Sequence, residues 1–297
     1  MNLVLTVLGI VTPVFALAAI GFAWERAGIE YRVQFVTRLA MTLATPCLIF
    51  TALMQAEIDP AALTAMSLAS VSAHLAMLAL AWGVLKAAGL ELRTYLGPFV
   101  FGNTGNLGLP LALFAFGDQG LSLGIVFFAV SAIFVFTVGL AVVAGQGGWG
   151  KALREPIVWA TVLGAIFLWN GWETPDFVTN TLKLVGQMAI PMMLITLGVA
   201  LARLSPGHVG RALVLALAKL GLGLAVGWAV GLGFGLTGAA FAVLVLQMTT
   251  PVPVTTYLLA EKYGPESGAD AGAVAGFVVV STLIAVLALP LVLGILL

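Results

Sequence analysis

Apolar residues run through this chain in long blocks separated by short polar stretches. Reading between the charged residues gives ten blocks, at about 3–24, 39–56, 61–85, 94–116, 121–145, 156–172, 184–202, 212–234, 239–260 and 271–296. A helix rising about 1.5 Å per residue needs about 20 residues to cross a bilayer core about 30 Å thick. The pattern predicts an all-α polytopic membrane protein with ten transmembrane helices.

Composition removes the other classes. Of 297 residues, 62% are hydrophobic and 8% charged, with a mean hydropathy of +1.16. Soluble domains are about 45–50% apolar and about 25% charged, so a soluble enzyme is excluded. Twelve Lys+Arg balance twelve Asp+Glu, so there is no basic excess to hold nucleic acid. The single cysteine, Cys47, excludes a disulfide framework and a thiolate metal cage. Two histidines, His74 and His208, and no HExxH leave metal hydrolysis without parts, and there is no GxxxxGK[ST] phosphate loop. The reading is of a protein that is not an enzyme and takes no cofactor or metal.

A charge at the centre of a spanning helix costs about 2.5–3.5 kcal/mol, so charges mark loops and span ends. Odd-numbered connections carry Arg26, Arg32, Arg38, Lys86, Arg93, Lys151, Arg154, Arg203, Arg211 and Lys262, with Lys219 about two turns inside the eighth block. Even-numbered connections carry Glu57, Asp59, Asp118, Glu173 and Asp176, with Lys183 as their one basic residue. The positive-inside rule then places odd connections in the cytoplasm and both termini outside. Ala16-Leu17-Ala18 would suit a signal-peptide cleavage site, but basic residues follow the first apolar run instead of preceding it. That order suits an uncleaved first helix in a cell membrane. Lys219 is expected to reach the cytoplasmic interface along its flexible stem.

Five spans per half is an odd number, so homologous halves would lie inverted relative to one another. Breakpoints match across an offset of 145. Pro46 in the second block corresponds to Pro191 in the seventh, 145 residues on. The fourth block is interrupted by Gly102-Asn103-Thr104-Gly105-Asn106-Leu107-Gly108-Leu109-Pro110, and the ninth by Gln247-Met248-Thr249-Thr250-Pro251-Val252-Pro253-Val254-Thr255-Thr256. Proline removes a backbone donor and glycine admits non-helical dihedrals. Freed backbone groups persist in a membrane only where protein or a wet cavity satisfies them. Two matched broken helices mark the substrate site of a secondary transporter, where half-helix N-termini can hold an anion.

The stretch from Asn103 to Pro110 resembles the fourth-helix crossover of the auxin efflux carrier family, an Asn followed seven residues later by Pro with small residues between. Pro251 through Tyr257 to Glu261-Lys262-Tyr263 resembles its ninth-helix crossover and exit. Thr45-Pro46-Cys47-Leu48 and Ile190-Pro191-Met192-Met193 resemble its second and seventh helices. The resemblance implies two inverted five-helix repeats, 1–145 and 155–297, with crossing helices 4 and 9. It implies a scaffold of 1–56 plus 156–202, a mobile transport domain of 61–145 plus 212–297, and a homodimer through the scaffold. By position, Asn103 takes the substrate carboxylate and Pro110 holds the break. Thr256 stands where plant members have a second proline, the third helix offers only His74 where they carry a carboxylate, and their long central loop is absent. These departures favour a bacterial relative that carries small carboxylates.

Each candidate has a second reading. Asn103 and Asn106 can be interhelical hydrogen-bonding residues, worth about 0.6 kcal/mol each, but a lone Asn does not explain two matched breaks. Thr104, Gln247, Thr250 and Thr256 are candidate substrate contacts, the threonines alternatively bonding freed carbonyls. Gly105, Gly108, Pro110, Pro251 and Pro253 form the crossover, and Pro46 and Pro191 belong to the scaffold. His74 is a proton or support site, or simply a residue bonded to a neighbouring helix. The expected function is a secondary carrier for small organic anions by elevator-type alternating access. The alternative is a sodium-coupled organic-anion symporter of the bile-acid type.

Overall fold

Long apolar runs bounded by capping residues and glycines fold here as helices, and every regular element among the described residues is helical. The computed structural model describes residues 3–56, 60–144, 156–204 and 208–297. Seven helices among them are long and apolar enough to cross a membrane, and Pro156–Asn170 and Gly238–Met248 are shorter apolar helices. In chain order we label α1 Leu3–Arg26, α2 Val33–Met54, α3 Pro60–Ala87 and α4 Leu92–Val100. After them come α5 (104–116), α6 (118–144), α7 Pro156–Asn170, α8 Asp176–Arg203, α9 Val209–Gly233, α10 Gly238–Met248, α11 Val254–Ser267 and α12 Ala271–Leu296.

The bilayer-facing surface is legible in α12. Leu287, Leu291 and Ile295, four residues apart, are exposed, while Leu289 and Leu293 are buried. A helix of a water-soluble protein would carry charge on that outer stripe; this one carries leucine and isoleucine.

Two chemical devices set the helix ends near the crossover. Glu91 caps α4, its carboxylate accepting from Thr94 N–H (2.8 Å) and the Thr94 hydroxyl (2.7 Å). Asp270 caps α12 by accepting from Ala273 N–H (2.9 Å). Between α5 and α6 the chain reverses at Gly117, whose φ of 62° and ψ of −153° suit only glycine. Gly124 on α6 then lies against Ala112 and Leu109 of α5, so the two run back alongside one another.

Close glycine contacts fix the packing. Gly198 of α8 meets the Ala18 carbonyl of α1, and Gly21 of α1 meets the Ile195 carbonyl of α8, so these backbones touch. Gly164 of α7 meets Leu53 of α2, and Gly186 of α8 meets Leu48 of α2. A second group holds α9 against α10 through Gly223 and Gly227, and α9, α10 and α12 pack together beside α3.

Polar contacts gather the odd-numbered connections at one end. Arg203 makes two bonds to the Glu25 carboxylate (both 2.8 Å) and one to Tyr31 O (2.7 Å). Arg93 donates to Ser267 O, Arg211 to the Tyr95 hydroxyl, and His208 lies 3.6 Å from Asp270. At the opposite end Ser122 donates to Ala52 O (3.2 Å) and Thr174 to the Met54 sulfur. Glu57, Asp59, Lys151 and Arg154, and the repeat boundaries at 145 and 155, lie outside the described residues.

Three helices differ from the sequence expectation: α11 runs on past residue 260 to Ser267 and takes in Lys262, and α2 and α8 begin earlier than expected. Residue 33, not 39, begins α2, because Arg38 sits in its early turns, where its head group can leave the apolar zone. Asp176, not residue 184, begins α8, because its first eleven residues are amphipathic and were set apart by Lys183. Pro46 follows a wide helical turn at Ala40–Ala44, and Pro191 follows the turn at Gln187 and Met188.

Candidate functional site

The two broken helices meet. Between α4 and α5, Phe101, Gly102 and Asn103 leave helical geometry, and between α10 and α11 the stretch from Thr249 to Pro253 does so. Asn103 N–H donates to Pro251 O at 2.7 Å, so each break satisfies part of the other. Ser281 of α12 accepts from Val252 N–H (3.0 Å) while donating to Val278 O. Gly102 is required at this contact: a Cβ there would overlap Thr250 Oγ1 and lie 3.2 Å from Gln247 O. Pro110 follows directly on the wide helical turn at Thr104–Gly108, in the first turn of the regular helix that begins at Leu109.

A cavity of about 200 Å³ opens beside this crossing. Its polar wall is Gly102, Asn103, Thr104, Gly105 and Asn106 from the first break, with Pro253 and Thr255 from the second. Thr37 and Met41 of α2, Ile157 of α7, and Phe128, Ser131 and Val135 of α6 complete it. The starts of α5 and α11 both border the cavity. The leading N–H groups of a helix have no intrahelical acceptor and carry about half a positive charge. Asn103 is 4% exposed and its Nδ2 has no hydrogen-bond partner, whereas Asn106 is half-buried. An unpaired buried amide donor beside two helix starts is an arrangement that favours an anionic oxygen.

Four other candidates stand outside the cavity wall. Gln247 is fully buried against Gly108 and Gly124, with neither Nε2 nor Oε1 partnered. Thr250 and Thr256 are buried and donate to Gln247 O and Pro253 O, each at 2.7 Å. Their protons close local carbonyls at the breaks, as does that of Thr249 on Val245 O and Leu246 O. His74 is 2% exposed, its Nδ1 lies 2.8 Å from Ser70 O, and its ring stacks on Phe134 at 5.1 Å and packs against Phe127 at 5.0 Å.

Lys219 is the residue whose place the sequence misled. It does not reach an interface. It is 3% exposed, and its Nζ donates to Phe99 O (3.0 Å) and Phe101 O (2.8 Å) at the end of α4. A hydropathy reading treats an internal Lys as a snorkelling one; only the three-dimensional crossing supplies unpaired carbonyls for it.

A second cavity of about 200 Å³ is lined by Leu48, Thr51 and Ala52 of α2, Gln55 just after it, Asp118, Leu121 and Ser122 of α6, and Lys183 of α8. Helices α2 and α6 thus line both cavities, one at each end of the same seam. Gly120-Leu121-Ser122-Leu123-Gly124 has GxSxG spacing, but it lies within a helix and not on the strand-to-helix turn a nucleophilic serine needs.

Broken helices joined at a buried crossing, in an all-helical chain with several spans, define a multi-pass membrane transporter. The family described as membrane transport protein matches residues 6–293, and the chain belongs to this family, the auxin efflux carriers. An uncharacterized transporter of Methanothermobacter thermautotrophicus is 25% identical over 274 residues, covering 84% of this chain and 86% of that one.

Proposed function

We propose that this transporter is a secondary carrier for small organic anions, chiefly weak carboxylic acids. The observation that carries this reading is Asn103, buried and with a partnerless Nδ2, in the wall of a cavity bordered by two helix starts. A carboxylate there accepts from Asn103 and the leading amides near Thr104 and Asn106, with Thr255 at its edge. About 200 Å³ suits a small acid, since drug-sized ligands fill about 300–1,000 Å³. Met41, Phe128 and Val135 face its apolar part.

The transport cycle we propose is elevator-type alternating access in ten helices arranged as two inverted five-helix repeats. The pairing of α1 with α8 and of α2 with α7 supports a scaffold of 1–56 plus 156–202. The rest, 61–145 plus 212–297, is the moving domain that carries the crossing. Two cavities at opposite ends of the α2–α6 seam support a site that reaches either side in turn. The end holding Arg26, Lys86, Arg93, Arg203 and Arg211 is cytoplasmic on charge, which puts both termini outside and opens the cavity at Asn103 inward. Assembly as a homodimer through the scaffold follows from the family resemblance.

The test is flux of labelled mono- and dicarboxylates into proteoliposomes under imposed proton, sodium or electrical gradients. Saturable uptake of at least one carboxylate that competes with others is expected. Absence of saturable flux across the panel would sink the reading.

A further inference from the structure

The end of α4 is where a membrane crossover needs a cation. The last carbonyls of a helix have no intrahelical donors and carry about half a negative charge. In carriers with broken helices, such half-helix ends and unwound carbonyls are where a coupling cation is coordinated. Here the position is filled from within the chain. Lys219, on α9 and about 120 residues from α4, sets its Nζ between Phe99 O and Phe101 O at 3.0 and 2.8 Å. Among the described residues no carboxylate pairs with it, so its charge answers to the helix end. A cavity of about 10 Å³ adjoins it, lined by Thr249, Thr250, Pro251 and Ser281.

We infer that Lys219 is the crossover's resident cation, a tethered ammonium that holds the carbonyl end an alkali ion would otherwise coordinate. Transport therefore needs no sodium at this position. Lys219 is a positioning residue: it holds Phe101 and, through it, the placement of Asn103. The inference rests on residues 101–103 and 249–253 being the transport crossover, but not on what is carried.

The test reads stability without substrate, so a chain that carries no carboxylate leaves it intact. Purified protein is unfolded thermally in sodium, choline or methylammonium chloride at equal ionic strength. Wild type is expected to give the same Tm in all three. Lys219→Ala is expected to fall in choline and to regain about 3 °C or more, saturably, in sodium or methylammonium, which enter the vacated space beside the carbonyls. A loss of packing alone would not respond to the cation. A sodium-specific rise in wild type overturns the inference, as does a Lys219→Ala protein that matches wild type in choline or ignores both cations. If Lys219→Ala does not purify as a single species, the wild-type comparison decides together with flux: equal rates in sodium and choline support the inference, and loss of flux in choline overturns it.

Discussion

Gly102→Ala tests whether the two breaks touch as described. The backbone at Gly102 is not in the left-handed region that only glycine tolerates, so alanine is acceptable there on dihedral grounds. With room to spare, such a change stabilises by about 0.4–1 kcal/mol through the unfolded chain. The sign is decided by space. The new Cβ would overlap Thr250 Oγ1 and stand 3.2 Å from Gln247 O and 3.4 Å from Thr250 Cβ. Relief requires Thr250 to abandon its bond to Gln247 O or the two breaks to part, weakening the 2.7 Å bond from Asn103 N–H to Pro251 O. Overpacking of this kind costs about 1–3 kcal/mol, which is about 2–6 °C in Tm at about 2 °C per kcal/mol for a chain of this size. Thr250→Ala alone loses one buried hydrogen bond, about 1 kcal/mol, but removes the atom that clashes. The double variant should therefore be more stable than the sum of the two single changes by about 1–2 kcal/mol. Gly83→Ala, with nothing within 4 Å of its Cβ, serves as the control and should be neutral or stabilising. Thermal unfolding followed by tryptophan fluorescence reads all four proteins. Additive effects, or a Gly102→Ala protein as stable as Gly83→Ala, would refute the contact.

Gln247→Leu removes a fully buried amide with no partners and should raise Tm by about 2 °C or more, from a desolvation penalty of about 1–3 kcal/mol; a fall of that size would contradict the environment described. Gly198→Ala, whose Cβ would overlap Ala18 O and lie 2.8 Å from Phe22 N, forces α1 and α8 apart and should cost about 1–3 kcal/mol, read as a lower Tm; no change would mean the helices do not pack at contact. His74→Gln keeps a group able to reach Ser70 O, and the pH profile of flux should keep its midpoint; a shifted midpoint would give His74 the proton-carrying role.

The sequence made the breaks legible because glycine and proline punctuate a helix wherever they stand, and Asn103, Pro110 and Pro251 are found where that punctuation put them. Helix limits near charges were less legible. Arg38 and Lys183 look like loop residues when charge is taken as the mark of a loop, yet each stands within a helix, in the early turns of α2 and α8. The partners of Lys219 were illegible, because they depend on which carbonyls the crossing leaves unpaired, and so was the burial of Gln247 without any partner. Thr250 and Thr256 follow the second of their two sequence readings, their hydroxyl protons going to carbonyls three residues back. The reversal at Gly117 falls in the gap that the blocks ending at 116 and restarting at 121 leave around Asp118.

The central claim is that an organic anion binds at Asn103 in the crossover cavity. Its most direct measurement is equilibrium binding of a carboxylate found by the flux panel, compared between wild type and Asn103→Ala at matched Tm. Loss of one hydrogen bond to a charged ligand is worth about 1.5–3 kcal/mol, so Kd should rise by roughly 10- to 150-fold. An unchanged Kd in a folded Asn103→Ala protein would contradict the account.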